Sequence, residues 1–180
     1  MSLVPNDVSP AHVLPMLLNS FTIPSFSEVT EFNLSFVGVH HPVPAFTSFT
    51  TCLPSVKIID VDKLSVRHLT RAQEALKTAE TEPSVAFPAL KTLIINVGIL
   101  LPNSSDLNSD PVSEFILMRI AHGHPIDIVD LTPVKHDVLP NDMAFLREAV
   151  GLKVLWQQRR GGDILEYMCG TDAPRNIVSV

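Results

Sequence analysis

The chain has 180 residues, of which 46% are hydrophobic and only 18% charged, and its formal net charge is −6. No basic stripe is present, so the composition argues against a nucleic-acid partner. No apolar run reaches the roughly 18 residues that a membrane-spanning helix needs, and the N-terminus lacks the basic region of a signal peptide. Cys52 and Cys169 lie far apart, which is typical of free thiols in a reducing, intracellular compartment.

Five short stretches share one apolar spacing, in which further hydrophobic residues stand three and five positions after the first. This spacing predicts strands in which side chains two positions apart point to the same side. The residues expected to point into one core are Phe32, Leu34, Ile59, Val61, Leu93, Ile95, Val129, Leu131 and Leu155. The fifth stretch is weaker, because Gln157 stands at its third apolar position. The apolar residues are Val29, Phe32 and Leu34; Val56, Ile59 and Val61; Leu90, Leu93 and Ile95; Ile126, Val129 and Leu131; and Leu152 and Leu155. The strands are expected near residues 29–35, 56–62, 90–97, 126–132 and 152–158.

Helical patterns stand ahead of the first strand and in the segments between the strands. One begins with a capping residue at Ser65, and another has Asp110 as its cap, Pro111 in its first turn and Gly123 as its stop. Asn, Ser and Asp dominate residues 100–110, which predicts a loop. Helices are expected over residues 10–19, 44–54, 65–80, 109–123 and 140–151.

The strand pattern recurs about every thirty residues. Its first apolar positions are 29, 56, 90, 126 and 152, so the steps are 27, 34, 36 and 26 residues. Such recurrence is typical of a solenoid, because no single unit can bury its apolar side alone. Chance triplets in a hydrophobic chain are the alternative. The predicted fold is α/β, a leucine-rich-repeat-like solenoid with about five parallel strands in chain order and helices on the other side.

The solenoid domain is expected to span residues 1–160, followed by a C-terminal tail over residues 161–180. In this tail, ILEYM at residues 164–168 would form either a last strand or a helical turn. The chain end is expected to fray.

Three motifs resemble a known family. FPALKTL at residues 87–93, AHGHPIDIVDL at 121–131 and FLREAVGLKVLWQ at 145–157 look like the C-terminal leucine-rich-repeat region of F-box proteins from mushroom-forming fungi. In such proteins an N-terminal F-box docks on the adaptor of a cullin-type ubiquitin ligase, and the repeats hold a substrate. The likeness runs from about residue 26 to residue 158. No F-box precedes it, which leaves two interpretations, a truncated gene product or an independent repeat protein. The resemblance implies the binding fold in both, whereas adaptor binding would need an F-box.

Motifs for catalysis are sparse. Two histidines and two aspartates fall within residues 122–130, but a helix end followed by a turn explains them, so no metal site is expected. Cys52 has no Cys-x-x-Cys partner and is expected in the core of a short helix. No Gly-x-Ser-x-Gly motif occurs. We therefore expect no cofactor and no enzymatic activity.

The residues between the inward-facing positions predict an open, concave sheet surface. Solenoids commonly bind partners on this surface, and a tryptophan often anchors the binding energy. We therefore expect the chain to bind another protein, one that presents basic and apolar groups. In an alternative arrangement, Trp156 and the isoleucines lie beneath the C-terminal tail. The predicted contact residues are Glu31, Asn33, Asp60, Asp62, Ile94, Asn96, Asp130 and Trp156.

Two other hypotheses compete with the binding domain. A small α/β enzyme would carry its site at the strand ends, and its helices would cover both faces of the sheet. A truncated fragment would have no independent function, which is a real alternative because the apolar ends lack the polar cap that repeat proteins need.

Overall fold

The computed structural model describes residues 24–35, 44–78, 85–96, 111–134, 148–157, 162–171 and 175–176. Strands and helices alternate along the first part of the chain, after a short 3-10 helix at Pro24–Glu28. The helices are α1 Pro44–Thr51, α2 Lys63–Thr78 and α3 Pro111–Ala121. The strands are β1 Glu31–Leu34, β2 Ile58–Asp62, β3 Thr92–Asn96, β4 Ile128–Asp130, β5 Lys153–Gln157, β6 Ile164–Met168 and β7 Arg175–Asn176.

All seven strands form one sheet, in which their spatial order is their order in the chain. Strands β1 to β5 are parallel, and β6 and β7 pair antiparallel. The expected α/β class and the five parallel strands in chain order are therefore confirmed. ILEYM forms strand β6 and joins the sheet. The expected helix over residues 10–19, the loop over residues 100–110 and residues 140–147 of the helix expected over 140–151 lie outside the described residues. Residues 148–151 of that expected helix form a turn.

One face of the sheet carries the hydrophobic core. Every second residue of β2, β3 and β5 is buried, and these side chains form one cluster with apolar residues of α1, α2 and α3. In the part of the chain that the structure describes, the helices therefore cover one side of the sheet. Eight of the nine predicted inward residues lie on this side: Phe32, Leu34, Ile59, Val61, Leu93, Ile95, Val129 and Leu131.

Helix α2 follows β2 with no intervening residue. Asp62, the last residue of β2, caps the helix: its Oδ1 accepts the backbone N–H of Ser65 at 2.9 Å, and its Oδ2 accepts the Ser65 hydroxyl at 2.6 Å. Ser65 is therefore the third residue of the helix, and the prediction that it caps the helix was wrong. The expected apolar face of α2 is buried and consists of Val66, Leu69, Ala72 and Leu76.

Helix α3 has Pro111 in its first turn and Gly123 after its end, as the sequence predicts, while the predicted cap Asp110 lies outside the described residues. Pro111 is its first residue, where a missing N–H costs nothing. At its other end Gly123 adopts a φ of 74°, and the N–H groups of Gly123 and His124 donate to the carbonyls of Ile120 and Arg119. This pair of bonds is a Schellman motif, which turns the chain toward β4.

A short turn closed by one backbone hydrogen bond precedes β1, β2, β3 and β5. In each of these lead-in turns the N–H of an apolar residue donates to the carbonyl of another apolar residue three positions earlier. Pro54 and Pro88 occupy the second position of two of them, where their fixed φ suits the turn. The bonds run from Val29 to Phe26, from Val56 to Leu53, from Leu90 to Phe87 and from Leu152 to Ala149.

The lead-in turn before β5 stands one residue closer to its strand than the other three lead-in turns do. Strand β3 begins two residues after Leu90, whereas β5 begins directly after Leu152. Val154 consequently pairs beside Val129, and Val154 is fully buried. Leu155, which was predicted to point inward, lies on the opposite face. That prediction was wrong because one residue of slip moves every side chain of a strand to the other face.

Two buried polar side chains hold the lead-in turn before β3. The N–H of Ala86 donates to Oε1 of Gln73 on α2 at 2.9 Å. The guanidinium of Arg119 on α3 donates to the carbonyls of Ala86, Phe87 and His124 at 2.8, 3.3 and 3.0 Å. Phe87 adopts a left-handed φ of 50°, which is costly for a bulky residue and persists only where surrounding bonds fix it.

Arg119 is buried without an ion pair among the described residues. Burial lowers its pKa to about 10, which leaves it charged at neutral pH. Three carbonyl oxygens at the end of α3 and in the turn before β3 supply the negative partial charge that it needs. Its Cζ atom also lies 5.9 Å from the centroid of the Phe115 ring.

We expect Leu93→Ala to lower the free energy of unfolding by about 2 to 5 kcal/mol, because Leu93 is fully buried at the centre of the sheet. Urea unfolding followed by circular dichroism would measure the change. The exposed Arg71→Ala on α2 is the control, and we expect it to stay within about 0.5 kcal/mol of the parent. A loss below about 1 kcal/mol for Leu93→Ala would contradict the assigned core.

We expect Arg119→Met to destabilise the chain by about 2 to 6 kcal/mol, since it leaves the two buried carbonyls of Ala86 and Phe87 unpaired at about 1 to 3 kcal/mol each. The same unfolding measurement applies, with the exposed Arg67→Met as the control for a lost arginine. Equal stability of the two variants would show that the apolar part of the side chain, and not its hydrogen bonds, holds the turn.

Candidate protein-binding face

The sheet face opposite the core presents side chains from six strands; we call it the open face. Three rows cross it, because parallel neighbours are in register. The row through the centres of the strands, here the middle row, contains Asn33, Asp60, Ile94, Asp130, Leu155 and Glu166. The other residues of the open face are Glu31, Ile58, Asp62, Thr92, Asn96, Ile128, Lys153, Gln157, Ile164 and Met168.

Residues of the open face are more accessible than those of the core side. Glu31 and Asn33 are exposed, and the open-face residues of β2 to β6 are partly exposed. No helix in the described ranges packs against them. Seven of the eight predicted contact residues lie on this face: Glu31, Asn33, Asp60, Asp62, Ile94, Asn96 and Asp130.

Trp156 does not lie on the open face. The one-residue slip in β5 points it into the core, where it is 9% exposed, and Leu155 takes its place in the middle row. It packs beside β6, where Leu165 is its paired residue. The prediction of Trp156 as a contact residue is therefore wrong, because the predicted register of β5 was wrong.

Asp60 organises the polar side chains around it. Its Oδ2 accepts the amide of Asn33 at 3.1 Å from β1 and the amide of Asn96 at 3.3 Å from β3. Its Oδ1 is shielded from solvent and has no hydrogen-bond partner among the described residues. A shielded carboxylate oxygen without a donor is unfavourable by about 1 to 3 kcal/mol, so this atom would gain from a donor that a partner brings.

The other two predicted aspartates, Asp62 and Asp130, differ in how many of their carboxylate oxygens accept local hydrogen bonds. Both oxygens of Asp62 serve the cap of α2, so its role is structural. Asp130 uses one oxygen, Oδ1, to accept the N–H of Thr132 at 2.8 Å in a local turn. Asp130 therefore keeps one carboxylate oxygen for other partners.

The open face is strongly negative. It carries five carboxylates, on Glu31, Asp60, Asp62, Asp130 and Glu166, against one described cation, Lys153. Lys153 pairs with Glu166 at 3.0 Å. Partly exposed isoleucines and Leu155 separate the charged groups. This mixture can bind a surface that brings basic and apolar groups together.

Sequence reasoning did not assign Leu155, Glu166 and Lys153 to this face. Leu155 and Lys153 were not assigned to the open face because the predicted register of β5 was wrong by one residue. Glu166 belongs to a strand whose period-two pattern was visible, since Leu165 and Tyr167 pack against the core and alternate with Ile164, Glu166 and Met168. A strand assignment for ILEYM would therefore have found it.

Groups away from the open face have structural roles. Nδ1 of His122 lies 2.6 Å from the carbonyl of Met118, and Nδ1 of His124 lies 3.2 Å from that of Pro88. Both cysteines are free thiols, and burial raises the pKa of Cys169 to about 11, which disfavours a reactive thiolate. Among the described residues no group of three or more His, Cys, Asp or Glu is placed to bind a metal.

Comparison with known proteins identifies no relative. No protein-family model matches the chain, and neither a curated protein nor a solved structure is similar to it. None of the helices in the described ranges is long and apolar enough to cross a membrane. The structure therefore defines the chain as an α/β protein with a mixed, mostly parallel sheet.

A matched pair of substitutions tests the register of β5. We expect Val154→Asp to unfold the chain, because it buries an unpaired charge at a fully buried position. Leu155→Asp should remain folded and lose less than about 1 kcal/mol, since its side chain lies on the open face. Thermal melting of both variants measures the contrast. If Leu155→Asp unfolded and Val154→Asp stayed folded, the register of β5 would be the one that the apolar spacing predicts.

Proposed function

We propose that the chain is a protein-binding repeat domain of the leucine-rich-repeat type, and that it holds its partner on the open face. The observation that carries this proposal is the one-sided burial of the sheet. The helices occupy the core side, while a face rich in carboxylates and aliphatic side chains has no described helix over it. Repeat proteins use such a face for partners.

The backbone supports a repeat interpretation as well. Similar lead-in turns precede β1, β2, β3 and β5, and the strands that follow them are parallel neighbours. A further bonding pattern recurs: the first N–H of a strand and the N–H before it share one carbonyl of the preceding unit, that of Thr30, Lys57 or Lys91. Recurring backbone bonds of this kind are expected where equivalent units stack.

The partner role follows from the family that the motifs resemble. In F-box proteins the repeats hold a substrate of the ubiquitin ligase, so we propose substrate recognition as the cellular role of the open face. A wound α/β enzyme would need helices on both faces. The helices of the described ranges lie on one side, which favours the binding role over that alternative.

Site-specific photo-crosslinking tests the location of the partner. A photoreactive amino acid would replace Ile128 on the open face in one variant and the exposed Glu74 on α2 in another. Each variant would be expressed in the cells of origin and irradiated, and the crosslinked proteins would be identified by mass spectrometry. We expect a defined partner from Ile128 that is missing from Glu74.

Charge reversal on the open face then checks the specificity of that crosslink. Asp130→Lys in the Ile128 variant should remove the crosslinked partner, and Glu114→Lys on the exposed side of α3 should leave it. Equal crosslinking from positions 74 and 128, or a partner that survives Asp130→Lys, would place the binding surface elsewhere.

A further inference from the structure

The middle row alternates acidic and aliphatic side chains. From β2 to β6 it reads Asp60, Ile94, Asp130, Leu155 and Glu166, one residue from each strand. Neighbouring strands lie about 4.8 Å apart, so the carboxylates recur about every 10 Å with an aliphatic group between them. A partner that matches this row must present basic and apolar groups in the same alternation.

The spacing distinguishes between conformations of the partner. In an extended strand, side chains on one face recur every 6.6 to 6.8 Å or so, which matches neither repeat of the row. On one face of an α-helix, residues i and i+7 lie about 10.5 Å apart, and residue i+3 or i+4 falls halfway between them. The helix therefore matches both repeats.

We propose that the open face binds a basic amphipathic helix of the partner protein, laid across the strands along the middle row. This inference rests on the proposed function and names the kind of segment that it recognises. Basic residues at i, i+7 and i+14 would face Asp60, Asp130 and Glu166, and apolar residues between them would contact Ile94 and Leu155.

The state of the carboxylates favours a cationic occupant. Among the described residues, neither Asp60 nor Asp130 has an ion pair, and Oδ1 of Asp60 has no hydrogen-bond donor. Lys153 already pairs with Glu166, so the β6 end of the row is the less negative one. The strongest attraction for a guanidinium or ammonium group is therefore expected at Asp60 and Asp130.

Designed peptides test the inference on the purified full chain. The first is an 18-residue helix-forming peptide with arginines at i, i+7 and i+14 and leucines between them on the same face. The second has the same composition, with its arginines distributed round the helix. Fluorescence anisotropy of the labelled peptides would measure affinity at low and moderate salt. We expect the first to bind roughly tenfold more tightly or better, and to weaken as salt increases.

Isosteric variants locate the binding. Asp60→Asn and Asp130→Asn keep one acceptor oxygen for the local hydrogen bonds, and each should weaken the first peptide by roughly 3- to 10-fold. Glu74→Gln and Glu114→Gln remove an exposed carboxylate from the helices and should change affinity by less than about twofold.

Equal affinity for the two peptides, or equal losses in the face and helix variants, would overturn the inference. The proposed function would survive that result if the crosslinked partner still came from position 128 and depended on Asp130. The proposed function would be contradicted independently if no partner crosslinked at position 128, regardless of how the two peptides bind.

Discussion

A single buried guanidinium fixes the geometry on which the centre of the sheet depends. Arg119 binds the carbonyls of Ala86 and Phe87 from the end of one helix, while Gln73 holds the Ala86 N–H from another. The turn before β3 therefore cannot shift without breaking bonds to both helices. Because β3 is the middle strand of the parallel set, the register of its neighbours depends on that turn. The left-handed conformation of Phe87 is part of the same arrangement.

A series of contacts between aromatic rings connects the turn before β3 with β1 and α1. The Phe87 ring lies 6.0 Å from that of Phe32, which in turn lies 5.8 Å from that of Phe49 on α1. Phe26, from the 3-10 helix, completes the chain of rings at 6.3 Å from Phe49. Apolar contacts thus connect the helix layer and the first strand to the same turn, on the side of the sheet opposite the open face.

Most of the sheet could be predicted from the sequence because side chains alternate along a strand. The apolar spacing identified the core side of β1 to β4, and with it the placement of Asp60, Ile94 and Asp130 on the open face. It failed at β5 because the apolar residues Leu152 and Leu155 fit the spacing, while the strand begins one residue early. Hydrophobicity could not resolve that slip, since both Val154 and Leu155 are aliphatic. Only the backbone bonds of the turn decide between them.

The reversal of direction at β6 restricts how a chain of this kind can change its length by duplication. Between β2 and β4 each strand has parallel neighbours on both sides, so an added strand–helix unit would meet the same backbone pattern above and below it. After β5 the next strand runs the other way. An extra strand–helix unit inserted there would have to break that antiparallel pairing, so gain or loss of such units is expected within the parallel part of the sheet.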